Sequence, residues 1–435
     1  MAYDPRREDY LRLSLRFAHT LDGEAPDVAA RAFAGFGRRF ARSRDSLPQT
    51  DADRAFRLVA DAAELIDYKL PFAASDEDAR RLIDRGHQLL DEAVALDPDS
   101  ADAHRMLASA ERPGFDGFHD FLAAGADEVI ARCTEARDAI ADDTERAALE
   151  RDIAMRPALR WLATMAANAV VCGRNRKALR ICARALELDP SDGPDVRYTA
   201  ALAFAKLEDE QGLQRLLDDT RALPRSRDGA DAWTILARCA LAHKRRDLDE
   251  ARTQIGLLIT AYPHAAATLV RQRELPDGVF ARFPAPPYSE DELIVALSEG
   301  TVLLLEGREQ GGRGPFGLWV AETAAEMAPK WEASEVAEAQ QQVADSVAQR
   351  DAWERNRGQS GPDGPVPGSP SSPDGPVPDG PSYPGGPVPD GPSYPGGPVP
   401  DGPSYPDSPS TPDDSPAPDG PSVPDGPGNR GGDAS

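Results

Sequence analysis

Hydrophobic residues recur at three- and four-residue spacing over most of the chain before Gly358, which is the period of an amphipathic helix. No segment alternates apolar and polar residues in the way of a half-buried strand. Pairs of a Ser or Thr with an acidic residue three positions later mark candidate helix starts, because the two side chains satisfy free backbone amides. Such pairs are Thr50 with Asp53, Ser75 with Asp78, and Ser289 with Glu292, the last being an S-x-x-E capping box. The pattern predicts an all-α fold.

Two similar phrases, AVALDPDS at residues 93–100 and ALELDPSD at residues 185–192, indicate that the helices form a repeat. Pro190 and Pro224 are 34 residues apart, which is the period of a tetratricopeptide repeat, and Pro263 follows after 39 residues. The extra residues fit the loops around RSRDG and HKRRD. We interpret LDP as a joint in which the proline ends one helix and a neighbouring Asp or Ser caps the next.

Small and apolar residues recur where the two helices of each repeat would meet. In the unit that ends at Pro190 they are Leu162, Met165, Ala166, Ala169, Ala178, Cys182 and Ala185. In the unit that ends at Pro263 they are Trp233, Leu236, Ala237, Ala240, Ala251, Ile255 and Leu258. The middle unit is weaker and has Val196, Ala200, Ala203, Gly212 and Leu216, with Asp219 at a position that is usually small. The pattern predicts a tetratricopeptide-type α-solenoid, a right-handed superhelix of helical hairpins, over residues 1–356.

The predicted array is interrupted, because the 92 residues between Pro98 and Pro190 are not a multiple of 34. The irregular stretch is RPGFDGFHDFLAAGADEVIARC at residues 112–133. The polar run at residues 330–357 predicts a last helix that caps the stack. We divide the chain into N-terminal helices (1–70), interrupted tetratricopeptide repeats (71–265, clearest at 159–265), a C-terminal helical cap (266–356) and a tail (357–435).

The order of these segments resembles a known family. LDPDSADAHRMLA precedes an interrupting helix with an AAG turn, the repeats RWLATMAANAVVCGRNRKALRICARALELDP and DVRYTAALAFAKLEDEQGLQRLL, then YPHAAATLVRQRELP and a helix capped by Asp and Glu. Over residues 80–320 this order is similar to the tetratricopeptide region of the suppressor of tumorigenicity seven family and its bacterial look-alikes. The resemblance implies a repeat fold and supplies no catalytic residue. Eukaryotic members are membrane-associated, and this sequence shows no corresponding segment.

The tail differs in composition from the rest of the chain. From Gly358 onward there is no Leu, Ile, Phe, Trp or Lys, and 24 of the 41 prolines lie here. Eleven Asp against one Arg give this part a net charge of −10. The unit DGPVPDGPSYP at residues 374–384 recurs, with Gly in place of its first Asp, at residues 385–395 and 396–406. Such a segment cannot bury enough apolar surface to order itself, so we predict a disordered, semi-stiff spacer. The alternative is a ligand role for its three repeated tyrosines, Tyr383, Tyr394 and Tyr405.

The net charge of −25 and the sequence pI near 4.7 disfavour nucleic-acid binding and binding to an anionic membrane. No apolar run approaches the length of a membrane-spanning helix, and residues 1–17 do not match a signal peptide, so we expect a cytoplasmic protein. Only 5 of the 49 basic residues are Lys, a bias typical of a GC-rich, bacterial source. The four cysteines are scattered, and we expect them to be small buried helix residues.

The first helix of each stacked hairpin lines a concave groove that suits an extended peptide or a helix. Counting repeat positions predicts that this lining consists of Arg160, Val170, Arg197, Phe204, Arg238 and Leu241. The three arginines would form a positive strip for carboxylates, or they are ordinary solvated surface residues. The acidic tail would compete for such a strip within the chain. We predict a non-catalytic scaffold or adaptor for a protein or peptide partner, without a cofactor.

An enzyme or an enzyme accessory subunit is the alternative. FDGFHD at residues 115–120 places Asp116, His119 and Asp120 together in a predicted turn. His87 and Asp91, four residues apart on one helix, are either two metal ligands or an exposed helix pair, and no third ligand is predicted nearby. GxSxG, HExxH and Walker motifs are absent from the sequence, so we predict no catalytic residue and no metal site.

Overall fold

The computed structural model describes residues 4–70, 73–112, 114–223, 225–273, 275, 285–308 and 312–359. These residues form helices, turns and loops without any strand, which confirms the all-α prediction. The predicted tail lies outside the described residues from position 360 onward.

The first half of the chain contains nine helices in the described ranges. These are α1 (Pro5–His19), α2 (Pro26–Ala34), α3 (Phe36–Ser43), α4 (Asp51–Ala63), α5 (Asp76–Leu96), α6 (Ala101–Glu111), α7 (Gly114–Asp138), α8 (Glu145–Val171) and α9 (Asn175–Leu188). A short 3-10 turn, Arg44–Ser46, follows α3, and a π-helical segment, Glu64–Lys69, extends α4.

The described part of the second half adds another nine helices. These are α10 (Val196–Lys206), α11 (Glu210–Thr220), α12 (Ala232–Lys244), α13 (Leu248–Ala261), α14 (Ala265–Arg271), α15 (Glu290–Glu299), α16 (Thr301–Leu304), α17 (Pro315–Met327) and α18 (Ala333–Gln359). The last helix confirms the helical prediction for residues 330–357, with its end at Gln359. None of the described helices has the combination of length and hydropathy that a bilayer crossing requires.

Consecutive helices pair as hairpins where the apolar stripes predict it. Helices α8 and α9, α10 and α11, and α12 and α13 contact each other, and α8, α10 and α12 also contact in sequence order. Every predicted inward position in the units that end at Pro190 and Pro263 is buried. In the weaker middle unit Leu216 is half-buried and Asp219 is exposed.

The repeated LDP phrase builds the same local turn twice. Asp97 and Asp189 end α5 and α9 with nearly identical φ and ψ angles, −136° and 90° against −137° and 90°. Each carboxylate accepts a hydrogen bond from the backbone N–H two residues on, at 3.2 Å for Asp97 and 3.0 Å for Asp189. The next helices are capped differently, since Asp192 accepts the amide of Val196 at 2.8 Å whereas Ser100 makes no side-chain cap. The LDP phrase therefore ends a helix in the same way at both places, as predicted, but the following Asp or Ser caps the next helix only after Pro190.

Two local predictions for residues 112–133 are wrong. The AAG sequence and FDGFHD were expected as turns, yet both lie within the continuous helix α7. Gly125 allows α7 to approach α8, because a Cβ atom at this position would lie 2.9 Å from Cζ2 of Trp161. The indole Nε1 of Trp161 donates to the Leu122 carbonyl at 2.8 Å, which fixes the ring in place. The glycine therefore serves helix packing and not a chain reversal.

Side-chain caps form at the predicted helix starts, but at one of them the acidic side chain binds a different backbone amide from the one predicted. Thr50 and Asp53 form a complete capping box. At α15 the Ser289 hydroxyl accepts from the amide of Glu292 at 3.2 Å, but the Glu292 carboxylate accepts from the amide of Tyr288 at 2.8 Å and not from that of Ser289. The box predicted to be complete is thus half formed.

The four cysteines are free. Cys133, Cys182 and Cys239 are buried on helices, which confirms their prediction, and Cys172 is half-buried at the end of α8. Burial raises the pKa of Cys172 to about 11, so its thiol is protonated at neutral pH.

Candidate partner-binding face

The six residues predicted to line a groove lie on three helices that contact in series. Helix α8 carries Arg160 and Val170, α10 carries Arg197 and Phe204, and α12 carries Arg238 and Leu241. The three helices therefore lie side by side. The six predicted side chains, however, have different environments.

The apolar members of this set do not form an open lining. Val170 and Leu241 are each only 4% exposed and belong to the two largest hydrophobic clusters of the described residues. Phe204 is half-buried, and its ring lies against Gly212: a Cβ atom on Gly212 would be 2.3 Å from Cε1 of Phe204. The ring therefore packs against α11, inside the hairpin. The predicted apolar surface is core because helices on both sides cover it.

Arg160 is held by carboxylates of the chain itself. Its Nε donates to Asp102 at 2.8 Å and its Nη1 to Glu8 at 2.7 Å. Glu8 and Asp102 are 0% and 4% exposed. Arg160 is accordingly neither a solvated surface residue nor an open site for an external carboxylate.

The electrostatics of this cluster follow from burial and close cations. Burial by itself would raise the pKa of Glu8, but the guanidinium groups of Arg160 and Arg12 hold it below its usual range. Burial also opposes ionisation of Asp102, and Arg160 overcomes it, so that the pKa of Asp102 is likewise lowered. Both carboxylates are ionised at neutral pH. They join α1, α6 and α8 through one guanidinium.

Arg197 is buried in a second internal cluster and is 7% exposed. Its Nη1 donates to Asp192 at 2.8 Å and to Asp195 at 2.7 Å, and its Nη2 donates to the Tyr198 hydroxyl at 2.8 Å. Burial raises the pKa of Asp192; Arg197 opposes this, and the neighbouring carboxylate of Asp195 adds to the rise. The prediction of a solvated or partner-binding arginine is corrected here, since Arg197 holds together the loop between α9 and α10.

Arg238 has a different environment. It is half-buried, and no described carboxylate pairs with it. Its guanidinium carbon would lie 3.4 Å from a Cβ atom on Gly229, which has φ +77°. Gly229 borders a shallow cavity between α10, α11 and α12 that is lined by Arg197, Leu216, Leu217, Thr220, Ser226, Arg227, Gly229, Asp231 and Thr234. Arg238 does not line this cavity, but its guanidinium lies beside Gly229 at the cavity's edge, which we call the rim.

The C-terminal helices cover much of the face formed by α10 and α12. The Trp233 indole donates to Glu299 at 2.7 Å, and Gly300 lies so close to Leu236 that a Cβ atom would come within 2.3 Å. Lys206 donates to the Val302 carbonyl at 3.1 Å. Glu306 then bridges the ends of both helices, with Lys206 and Lys244 each at 2.9 Å. Residues 290–306 therefore occupy a surface that the sequence predicts to be open.

A buried glutamate fixes the start of this C-terminal segment. Glu292 is 6% exposed and receives both terminal nitrogens of Arg227 at 2.7 Å, together with the hydroxyl of Tyr262 at 3.0 Å. Burial would lower the pKa of Arg227, but hydrogen bonds to Glu292 and Tyr198 raise it instead. Sequence reasoning missed Glu8 and Glu306, and it gave Glu292 a capping role only. Their partners lie far along the chain, and no spacing rule connects them.

The residues of the alternative site at 115–120 do not converge. Asp116 and Asp120 are exposed and both bind Arg174, at 2.7 Å and 2.9 Å. His119 lies between them on α7 but is 0% exposed; it lies close to the Met165 backbone, and neither ring nitrogen makes a hydrogen bond of normal geometry among the described residues. Burial lowers the pKa of His119, and the cations of Lys177 and Arg174 add to this effect. A neutral imidazole is therefore enclosed in the core.

His87 is half-buried and Asp91 is exposed on α5. Within the described ranges no three His, Cys, Asp or Glu side chains gather closely enough to hold a metal ion.

Comparison with known proteins gave no relatives. No protein-family model matches the chain, no curated protein matches it, and no solved structure matches its fold.

Proposed function

We propose that α8–α13 are tetratricopeptide-type hairpins within an interrupted solenoid, and that the chain is a non-catalytic scaffold for a protein or peptide partner. The observation that carries the proposal is the packing of α8, α10 and α12 in series, each backed by its own second helix through a buried stripe of small residues. Repeats of this kind commonly bind proteins or peptides on such helical faces. In this chain residues 290–306 already occupy much of the face of α10 and α12, so we look for the partner contact outside that cover.

The proposed contact point is Arg238. Arg160 and Arg197 are already paired with internal carboxylates, whereas Arg238 is half-buried and its guanidinium has no carboxylate partner among the described residues. Arginine binds carboxylates with two parallel hydrogen bonds and is frequent among the residues that dominate interface energies. We expect a carboxylate of the partner, from an acidic side chain or a chain terminus, to bind at this rim.

Affinity capture from the native host with the full chain tests the proposal. We expect Arg238→Glu to lower recovery of a specific partner by about tenfold, because charge reversal removes the contact and repels the carboxylate. Arg215→Glu on α11 is the matched control, since Arg215 is exposed and also lacks a carboxylate partner among the described residues. Circular dichroism of both variants checks that the fold is retained.

Equal recovery of the same proteins by both variants would remove Arg238 from the proposal. Failure of the wild-type chain to enrich any protein above a beads-only control would contradict the scaffold function itself.

The alternative of an enzyme or accessory subunit with a site near residues 116–120 has one observation in its favour, the enclosed His119 whose ring nitrogens make no hydrogen bond of normal geometry among the described residues. Metal analysis of the purified chain tests this alternative. A stoichiometric transition metal that is lost in His119→Gln would support it and would count against a purely scaffolding role.

A further inference from the structure

Helices α2 and α3 form an unusual surface for this acidic protein, which we call the α2–α3 surface (residues 26–43). No residue of α2 is buried. Val28 and Phe33 are 40% and 41% exposed, although both are large and apolar. Scattered exposed apolar residues are ordinary, but here they occupy one short helix that the described residues leave largely uncovered.

Aromatic rings support this surface from below. Phe33 stacks on Phe36 with ring centroids 5.5 Å apart, and Tyr10 contacts Phe36 and Phe40 edge-on at 5.2 Å and 5.1 Å. Phe36 is 1% exposed, so the cluster is anchored in the N-terminal core while Phe33 remains at its edge. The result is a firmly held, partly open aromatic surface.

Cations flank the aromatic residues. The α2–α3 surface contains four Arg against one Asp, in a chain whose net charge is −25. Arg38 and Arg42 are exposed, lie four residues apart on α3, and have no carboxylate partner among the described residues. Arg39 lies over the Phe17 ring at 5.3 Å and donates to the Ser46 carbonyl at 3.3 Å. The surface is therefore both apolar and positively charged.

The chemistry that fits such a surface is an acidic segment rich in proline and aromatic residues. Aromatic surfaces bind proline-rich peptides because the polyproline II conformation is preformed and loses little entropy on binding. Exposed arginines attract carboxylates over about 8–10 Å at ordinary ionic strength. The sequence contains this chemistry in its repeat DGPVPDGPSYP, which has four prolines, one tyrosine and two aspartates in its first copy at residues 374–384.

We propose that the α2–α3 surface binds the first proline-rich repeat, residues 374–384, of the same chain. The prolines and Tyr383 contact the aromatic edge at Phe33, and the aspartates lie near Arg38 and Arg42. Tethering favours this occupant over a free peptide, because an attached segment acts at a high effective concentration. The inference is independent of the proposed role of Arg238 and of the repeat classification of α8–α13.

Photo-crosslinking of the full chain tests the proposal. A p-benzoylphenylalanine residue is placed at position 33, and crosslinked peptides are identified by mass spectrometry after gel separation of monomer and dimer. We expect crosslinks from position 33 to residues 374–384 in the monomer band. The control is the same probe at position 318, because Leu318 is also apolar and is 51% exposed but lies on α17.

Charge reversal provides the second arm of the test. Arg38→Glu with Arg42→Glu, in the chain with the probe at position 33, is expected to reduce the crosslink yield by about tenfold. The matched control is Arg176→Glu with Arg180→Glu on α9, a second exposed pair with the same spacing and no described carboxylate partner. We expect this control pair to leave the yield unchanged.

The proposal is overturned by the absence of crosslinks to residues 374–384 from position 33, by an equal yield from position 318, or by an equal loss of yield in both charge-reversal variants. Crosslinks confined to the dimer band would also reject it, since they would make a second copy of the chain the occupant.

Discussion

The α8–α13 hairpins and the N-terminal helices α1–α4 are assembled by different forces. In the hairpins the helices meet through small apolar side chains, such as Ala166 and Ala178, which are both 0% exposed. In the N-terminal region two acidic residues, Glu8 and Asp9, are equally buried. Glu8 is bound by Arg12 at 2.8 Å, and Asp9 by Arg44 at 2.9 Å. The hairpins meet through a periodic apolar stripe, with the Arg197 cluster confined to the loop between α9 and α10. The N-terminal helices add buried ion pairs to a small apolar cluster around Phe36.

This difference determines how each region responds to mutation. An apolar stripe distributes its free energy over many dispersion contacts, so that one small change is shared among neighbours. In a buried ion pair the free energy depends on two side chains, because loss of one partner leaves the other charge buried, unpaired and unsolvated. Buried pairs are weak evidence for high stability, but they do specify which helix packs against which. Here Glu8 selects α8 as the neighbour of α1 through Arg160 and Arg156.

The largest expected effect is at Glu8. We expect Glu8→Gln to lower the free energy of unfolding by about 4 kcal/mol at pH 7, since it leaves the surrounding guanidinium groups underneutralised. The pKa of Glu8 is lowered on folding from its ordinary value of 4.5. Its contribution is therefore present above that value and is lost as the pH falls through the lower folded pKa. Urea denaturation of the wild type and the variant at pH 7 and at pH 3 measures the loss of unfolding free energy and its decrease at low pH.

The control for this prediction is Asp27→Asn on α2. Asp27 pairs with Arg31 at 2.7 Å, but its side chain is 70% exposed, so we expect a loss of less than about 0.5 kcal/mol. Similar losses in the two variants would contradict the contrast between buried and exposed pairs.

The second largest effect tests apolar packing, at the contact of α7 with α8. We expect Gly125→Val to cost about 2 kcal/mol, because a Cβ atom at this position lies 2.9 Å from the Trp161 ring, which is fixed by its own hydrogen bond. Thermal unfolding measures the loss. In the control Gly35→Val the nearest described atom to the new Cβ is the Ala32 carbonyl oxygen at 3.5 Å. A lower melting temperature for the Gly35 variant than for the Gly125 variant would refute this packing account.

A third effect, which is stabilising, concerns Asp67 in the π-helical segment after α4. Burial raises its pKa from 3.8 to about 7, and Arg105 offsets only part of the change. The folded chain therefore retains a proton that the unfolded chain releases, and stability falls as the pH rises from about 4 to about 7. We expect Asp67→Asn to be more stable than the wild type at pH 8, where the buried carboxyl of the wild type costs stability, and equally stable at pH 3.5. Denaturation curves that show no pH-dependent difference between this variant and the wild type would reject a raised pKa.

The sequence predicted the apolar region well because its information is local. The inward positions of the hairpins follow from spacing and residue size, and helix starts such as Thr50 follow from capping chemistry within one turn. Glycine was the exception. The AAG sequence indicated a turn, yet Gly125 meets a tryptophan that lies 36 residues further along the chain. No local rule distinguishes these two uses of glycine.

The candidate face was harder to predict because its partners are distant in sequence. Arg160 pairs with Asp102 and with Glu8, which precede it by 58 and 152 residues. Repeat counting placed Arg160 on a groove lining and gave no indication that its charge is already neutralised within the chain. The cover over α10 and α12 was missed for the same reason, since Val302 follows Lys206 by 96 residues.

Because residues 290–306 cover α12 but are synthesised after it, the apolar side of α12 is exposed for a time in the nascent chain. Leu236 leaves the ribosome 66 residues before Val302, and translation proceeds at about 5–20 residues per second. The apolar side of α12 is consequently without its cover for about 3–13 seconds in each nascent chain. During that interval α12 is open to chaperones, and a ribosome that stalls before codon 290 leaves a product that is prone to aggregate.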